Sequence, residues 1–397
     1  MFFYQAIDFL IIYFLLLGDL KNPILTKISN FFLIFIFFSV TGLSYKIHND
    51  MYVYQFLYEH MNLSWIGKIN LEPGYILTSV FFSNFLSFPL FKMLVYAVCT
   101  ILIYKGLIAF VSRKDAAFIM ALLYIIAPFY LIYESAFRQA ITISIFIFSL
   151  QYLKEKKYIK YIVIILLAAT FHISALLLLI LPLFYKWHKR TFFFDISLIS
   201  IIMVMGILPI FSSIIAIAIN ELAKYIPRLN SYTDTLINNN ISFSLFLLLN
   251  VAIIISLIVL FYTKKNTATI EEKFIYTSSL IFFIIYFIGL HISIFYRILP
   301  YFYVFFGFAI ILLFRRIPQT SFYFILKYAI VLVFIFKLNL PIILKGNMKD
   351  FRYIPYHSYI ETVFYDIPYE DTAQYLHMFS RHGRSELDEN YFLREGK

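Results

Sequence analysis

Apolar residues fall along this chain in long runs, and charged residues are gathered into the short gaps between them. A first run begins at Phe2. Others follow at Phe31–Leu43, Tyr75–Phe88, Phe91–Phe110, Ala116–Tyr133, Ala140–Leu153, Phe192–Ile219, Phe243–Tyr262, Phe274–Leu290, Ile298–Phe314 and Phe322–Leu344, with one more between Lys160 and Lys186. A helix of about 20 apolar residues crosses a hydrocarbon core roughly 30 Å thick. The runs therefore predict an all-α, polytopic integral membrane bundle with about 11–13 membrane segments, some of them short or re-entrant. The bundle should occupy residues 1–345. A tail of mixed charge, rich in Tyr and Pro, follows over residues 346–397. The segment Asn220–Asn240, which contains Pro227, reads as an outer loop or interfacial helix. No internal repeat is evident.

The basic gaps set a constraint on topology. They are Lys21/Lys27, Arg113/Lys114, Lys154–Lys160, Lys186–Arg190, Lys264/Lys265 and Arg315/Arg316. If all lie on the cytoplasmic side, as basic loops usually do, an even number of crossings separates each neighbouring pair. Two intervals break that rule when every run is counted as a crossing. Between Lys27 and Arg113 there are three runs. The middle one carries Ser79, Ser83, Asn84 and Ser87 and ends at Pro89. At 1.5 Å per residue it is short of the core, so the region Glu72–Pro89 is expected to be a half-helix that enters from outside and returns. Between Lys160 and Lys186 parity asks for two short helices meeting near His172; the alternative is one tilted helix with a buried histidine.

Composition agrees with the membrane reading. Hydrophobic residues are 62% of 397 and charged residues 14%, against about 25% charged in an average soluble domain; the mean hydropathy is +0.83. The net charge of +11 would point to nucleic acid in a soluble protein. Here the basic residues sit in loops between spans, and no nucleic acid partner is expected. The single cysteine, Cys99, lies inside an apolar run, which leaves no disulfide framework and no thiolate metal site. No basic residue precedes the run at Phe2, so it reads as a retained helix rather than a cleaved signal.

Ionisable groups in or beside spans are costly and are functional candidates by default. With the basic gaps placed inside, the notable ones fall outside together: Asp50, Glu59 and Glu72 in the loop Tyr45–Gly74, Glu134 and Arg138 at the end of a helical pair, His172, and His291 with Arg297. Ser135, Arg138, Thr142 and Ser149 are spaced to share one helical face. An arginine heading such a stripe suits an anion site, although small-residue packing with a snorkelling Arg138 gives the same spacing. Arg297, among Tyr296, Tyr301 and Tyr303, is either a second anion contact or an interfacial anchor. Glu72 precedes Pro73 at a helix start, where it is either a cap or a catalytic carboxylate. His172 is either a satisfied interior histidine or a reactive one; Glu59 and His291 read as ordinary. No Walker loop, Rossmann glycine fingerprint, HExxH or Cys/His cluster occurs, so neither a metal nor a cofactor is expected and the substrate should arrive already activated.

Taken in order, several pieces look familiar: Asp50-x-Tyr52-x-Tyr54, Glu72-Pro73-Gly74-Tyr75, Phe137-Arg138-Gln139-Ala140, Thr170-Phe171-His172-Ile173-Ser174, Arg297 with Tyr301, and Tyr353-Ile354-Pro355-Tyr356. The chain resembles the EpsG-like branch of the Wzy-type bacterial polysaccharide polymerases over nearly its whole length. The resemblance implies a donor oligosaccharide on undecaprenyl pyrophosphate in the membrane lipid, and a lipid-linked acceptor whose sugar hydroxyl attacks it. It also implies a site facing outward from the bacterial inner membrane, and a chain-length regulator protein as a partner. Carried onto this sequence, Arg138 and Arg297 would hold pyrophosphate. Glu72 or Asp50 would orient or deprotonate the acceptor, with His172 as partner or alternative base. Tyr52, Tyr54, Trp65, Tyr75, Gln139, Tyr301 and Tyr356 would contact glycan. Two other classes compete: a ligase or multi-span glycosyltransferase using the same lipids, and a non-enzymatic flippase. A flippase should show the internal repeats common in transporters.

Overall fold

The computed structural model describes residues 2–20, 22–44, 49–66, 71–126, 129, 133, 136–185, 191–207, 217, 221, 245–263, 265–290, 298–317 and 321–345. The tail 346–397 and the segment Asn220–Asn240, apart from Glu221, lie outside the described residues, as do Glu134, Ser135, His291, Arg297 and Tyr356. Among the described residues the chain is all helical, with fourteen α-helices and no strand. Four helical stretches are long and apolar enough to cross a bilayer alone: Pro23–Gly42, Phe88–Ile108, Ile270–Gly289 and Leu299–Arg316. Large apolar side chains such as Phe31, Phe81 and Phe85 are exposed along the outside of the bundle. That is where a hydrocarbon solvent leaves no penalty.

The elements, in order, are α1 (Phe2–Asp19), α2 (Pro23–Gly42), α3 (Asn49–His60), α4 (Pro73–Ser83), α5 (Phe88–Ile108), α6 (Arg113–Ile125), α7 (Phe137–Lys154), α8 (Tyr158–Ala169), α9 (Leu181–Tyr185), α10 (Phe192–Ile207), α11 (Leu245–Thr263), α12 (Ile270–Gly289), α13 (Tyr303–Arg316) and α14 (Ser321–Lys345). Short 3-10 helices occur at Leu63–Trp65, Ile173–Ile180, Lys265–Thr267 and Leu299–Phe302. The central helix is α13, buried against α6, α11 and α12. The pair α5 and α7 forms the second axis of the core. They approach so closely at Gly106 that a Cβ there would lie 2.5 Å from the Ile147 carbonyl oxygen, the small-residue packing that membrane helices use.

Ion pairs tie one end of the bundle together. Asp19 at the end of α1 holds Lys114 at 2.8 Å and Lys327 at 2.7 Å. Arg315 reaches Asp115, Arg316 reaches Glu272, and Lys154 lies 3.7 Å from Glu271. The ends of α1, α7 and α13 therefore meet the starts of α6, α12 and α14. Lys114, Lys154, Arg315 and Arg316 are thereby grouped at one end, as parity required of their gaps, while Lys21, Lys186–Arg190 and Lys264 lie outside the described residues.

Both irregular intervals have the expected form. After α2 the chain makes α3, the half-helix α4 and the returning span α5. The eleven residues of α4 rise only about 16 Å, roughly half a hydrocarbon core. Pro73 stands at its first position and Pro89 within the first turn of α5, where a missing N–H costs nothing. In the second interval α8 stops at Ala169 and the chain turns at His172 into the 3-10 helix Ile173–Ile180 and α9. The Tyr161 hydroxyl donates to the Leu178 carbonyl at 2.7 Å, which closes the two arms on each other.

Two expectations need correcting. The region Tyr45–Gly74 is not simply a loop, because it contains α3. Met51, Tyr54, Leu57, Tyr58 and Met61 are buried along one side of it, at the three-and-four spacing of a helix. Tyr58 donates to the Leu86 carbonyl at 3.0 Å and fastens α3 over the turn after α4. The run Ala116–Tyr133 is not one unbroken helix either. Here α6 ends at Ile125 and Ile126 is extended, shortly before Pro128, whose ring disfavours helix in the residue preceding it.

Candidate functional site

Three breaks in regular structure meet at the end of the bundle opposite the ion pairs: the start of α4, the start of α7 and the turn after α8. Gly74 makes the meeting possible. Its N–H donates to the Thr170 carbonyl at 2.8 Å, and a Cβ at this position would collide with Thr170. The half-helix is thereby docked on the end of α8, with Glu72 beside His172.

Glu72 takes the N-cap position of α4, yet its side chain makes no capping bond; only its backbone carbonyl does that work, accepting from Tyr75 and Ile76. The carboxylate is directed across the site instead. Oε2 accepts from Arg138 Nη1. Oε1 lies 3.2 Å from His172 Nδ1 and accepts from the Ile173 N–H at 3.1 Å. The plain capping reading of Glu72 therefore does not describe its side chain. Burial pushes the Glu72 carboxyl up, but the His172 hydrogen bond, the Arg138 charge and the Ile173 N–H together outweigh it and hold the group at about 2. Glu72 also sits at the heads of two helices, α4 and the 3-10 helix, where backbone dipoles favour negative charge.

Arg138 lies in the first turn of α7. The Tyr54 and Tyr75 rings stand 5.9 and 6.0 Å from its guanidinium, within cation–π range. Its Nε is buried and has no hydrogen-bond partner. Behind it, Thr142 donates back to the Arg138 carbonyl at 3.0 Å. The Tyr301 hydroxyl joins Thr142 at 3.2 Å and Ser174 at 2.8 Å. This hydroxyl chain fastens α7, the 3-10 helix after His172 and the segment leading into α13 to one another.

The structure thus brings together Glu72, Arg138 and His172, from positions 66 and 100 residues apart. Tyr54, Tyr75, Tyr301 and Gln139 are buried. Their place is behind the charged cluster rather than on an open face. Trp65 is half-buried in its 3-10 turn. Asp50 and Tyr52 belong to α3, but their side chains lie outside the described residues, as do Arg297 and Tyr356. Sequence reasoning missed Thr170, Ser174 and Lys92. Lys92 is buried near the head of α5 and donates to the Ser44 carbonyl at 2.7 Å. A lysine inside the run Phe91–Phe110 was the available signal. For Thr170 and Ser174 the available signal was their place in the element Thr170-Phe171-His172-Ile173-Ser174.

An acid, a guanidinium and an imidazole are thus gathered at one end of a polytopic helical membrane protein, and ionisable groups so placed are candidates for function. The chain belongs to the EpsG family, the family of Wzy-type polysaccharide polymerases, whose sequence model matches residues 27–358. Membership supports a polysaccharide polymerase-type role. No curated protein and no solved structure matches the chain.

Proposed function

We propose that this cluster joins oligosaccharide units carried on undecaprenyl pyrophosphate into a polymer, at the outer face of the bacterial inner membrane. The observation that carries the proposal is the division of the Glu72 carboxylate, one oxygen on an arginine and the other on an imidazole. Transfer of a sugar from a diphosphate to a hydroxyl asks for those two functions side by side. The acceptor oxygen forms a bond to the donor anomeric carbon as the bond from that carbon to the diphosphate oxygen breaks. The hydroxyl proton must go to a base, and the diphosphate leaves with the electron pair and its lipid.

Arg138 supplies the cation for the leaving group, since a guanidinium fork matches phosphate oxygens. His172 supplies the base. With Nδ1–H donating to Glu72, the Nε2 nitrogen carries the free lone pair, the arrangement in which a carboxylate fixes the tautomer of a catalytic histidine. Glu72, with Oε2 on Arg138 and Oε1 shared by His172 and the Ile173 N–H, is placed to orient the imidazole. Arg297 would add a second cation, Asp50 remains the alternative acceptor of the proton, and Tyr52, Trp65 and Tyr356 are the candidates for sugar contact. The outward sidedness rests on the ion-paired basic end lying opposite the site, basic loops being retained on the cytoplasmic side.

The test is the lipid-linked species that accumulates in cells lacking the protein. Single repeat units on the outer leaflet are expected. Units trapped on the inner leaflet would indicate a flippase. Finished polymer still on its lipid would indicate a ligase.

A further inference from the structure

In the resting site the guanidinium assigned to the diphosphate already has an anion. Arg138 Nη1 is bonded to Glu72 Oε2, and Glu72 is held from its other oxygen by His172 Nδ1 and the Ile173 N–H. Both anchors are on Oε1, the oxygen that Arg138 does not hold. The carboxylate is therefore kept in place from behind, with Oε2 presented to the arginine. Arg138 and Glu72 together are neutral, so the pair offers an incoming anion little net attraction. Any phosphate oxygen that reaches Arg138 must also approach a carboxylate of like sign.

We infer that Glu72 is a built-in competitor for the anion site of Arg138, so that only a ligand with more negative charge than a tethered carboxylate, a diphosphate rather than a monophosphate, exchanges with it. Arg138 is equipped for the exchange. Its Nε is buried and without a partner, and the Tyr54 and Tyr75 rings, packed edge to face with each other, together back the guanidinium at 5.9 and 6.0 Å and support it while it changes partners. Glu72 keeps Oε1 on His172 and Ile173 throughout, so the histidine stays oriented when the arginine lets go. The return of Oε2 to Arg138 after transfer then helps expel the lipid diphosphate product. The charged and titratable groups involved come from each element at the site: Glu72 before α4, Arg138 on α7, His172 after α8, Tyr54 on α3, and Tyr301 ahead of α13 through Ser174. This inference rests on the reading of Arg138 as the diphosphate anchor.

The experiment measures binding of inorganic pyrophosphate and inorganic phosphate to the purified full-length protein in detergent, by calorimetry or phosphorus NMR. It uses wild type, Glu72→Gln, Arg138→Gln and the double variant, each confirmed monodisperse by size exclusion. Wild type should prefer pyrophosphate strongly. Glu72→Gln should bind both anions at least about tenfold more tightly, a gain of roughly 1.4 kcal/mol, and the preference for pyrophosphate should shrink. Both effects should vanish with Arg138→Gln in either background. Should Glu72→Gln bind no more tightly than wild type while binding still depends on Arg138, the competitor role is wrong and the anchor role stands. Should binding be the same with and without Arg138, the anchor reading itself fails. A misfolded protein does not gain affinity, so the expected result has no purely structural explanation.

Discussion

Arg138 meets its surroundings through a planar fork set against two adjoining tyrosine rings, and this is what a lysine cannot reproduce. Arg138→Lys keeps the charge and loses the geometry. Polymer formation should fall at least about a hundredfold, the usual cost of losing one donor to developing charge, with membrane abundance unchanged on immunoblots. Wild-type polymer in this variant would make Arg138 a packing residue. The acid stability of its partner follows from linkage. The folded Glu72 carboxyl is held near 2, below its ordinary value of 4.5. Its stabilising charge is thus fully present above pH 4.5 and is lost only as pH falls through about 2. Infrared difference spectra between wild type and Glu72→Gln should still show an ionised carboxylate at pH 4; a protonated band there would contradict the pairing. All three site residues were legible in the sequence as ionisable groups beside apolar runs. Their contact was not, because nothing local links residues 66 and 100 positions apart. The burial of Tyr75 and Tyr301 was not legible, because an aromatic hydroxyl in a span gives no sign of its partners: Tyr75 stands by the Arg138 guanidinium and Tyr301 bonds Thr142 and Ser174.

The elements that build the site are its incomplete ones. The half-helix α4 and the turn after α8 were legible from parity and from polar residues within short runs. The helix α3 was not, because its flanking charges and its tyrosines read as loop. Nor was the 3-10 form of Ile173–Ile180, because the same apolar residues suit an α-helix, and the bonds of Ser174 to Tyr301 and Tyr161 to Leu178 are long-range. The junction of α4 with α8 has the least tolerance. Gly74→Val puts a branched side chain where even a Cβ collides with Thr170. It should separate Glu72 from His172 and abolish polymer formation, while Gly18→Ala, which meets only the Ser29 side chain at the opposite end of the bundle, should be mild. Equal activity in Gly74→Val and wild type would show that α4 does not need this docking.

For the molecule as a whole, the basic end is a connected set of ion pairs rather than a row of independent loops. Asp19 is the hub, with Lys114, Lys327 and the Tyr328 hydroxyl all upon it. Asp19→Asn leaves the buried Lys327 without its charge partner. Removing one member of a buried pair typically costs about 3–5 kcal/mol, so the detergent-solubilised variant should melt several degrees below wild type; an unchanged melting temperature would show that the network adds little. The same end should face the cytoplasm. In a Cys99→Ala background, an impermeant thiol reagent applied to intact cells should label Leu63→Cys and spare Lys157→Cys, and the reverse pattern would invert the topology. The all-helical membrane class was legible here because lipid imposes one rule on every span. The ion-pair partners were not, since charges at span ends carry no address.

In the proposed reaction Glu72, Arg138 and His172 act together to transfer sugar from a lipid diphosphate. The most direct measurement is polymerisation of purified undecaprenyl-pyrophosphate-linked repeat units by the protein in liposomes, comparing wild type with His172→Gln, which retains hydrogen bonding and loses the base. Wild type should build chains of many repeats and release undecaprenyl pyrophosphate in step. His172→Gln should be slower by about 10²–10⁴-fold, the range for a lost general base, at equal protein in the membrane. Chain growth at the wild-type rate in His172→Gln, or none by the wild-type protein on any lipid-linked repeat unit of its own cell, would contradict the account.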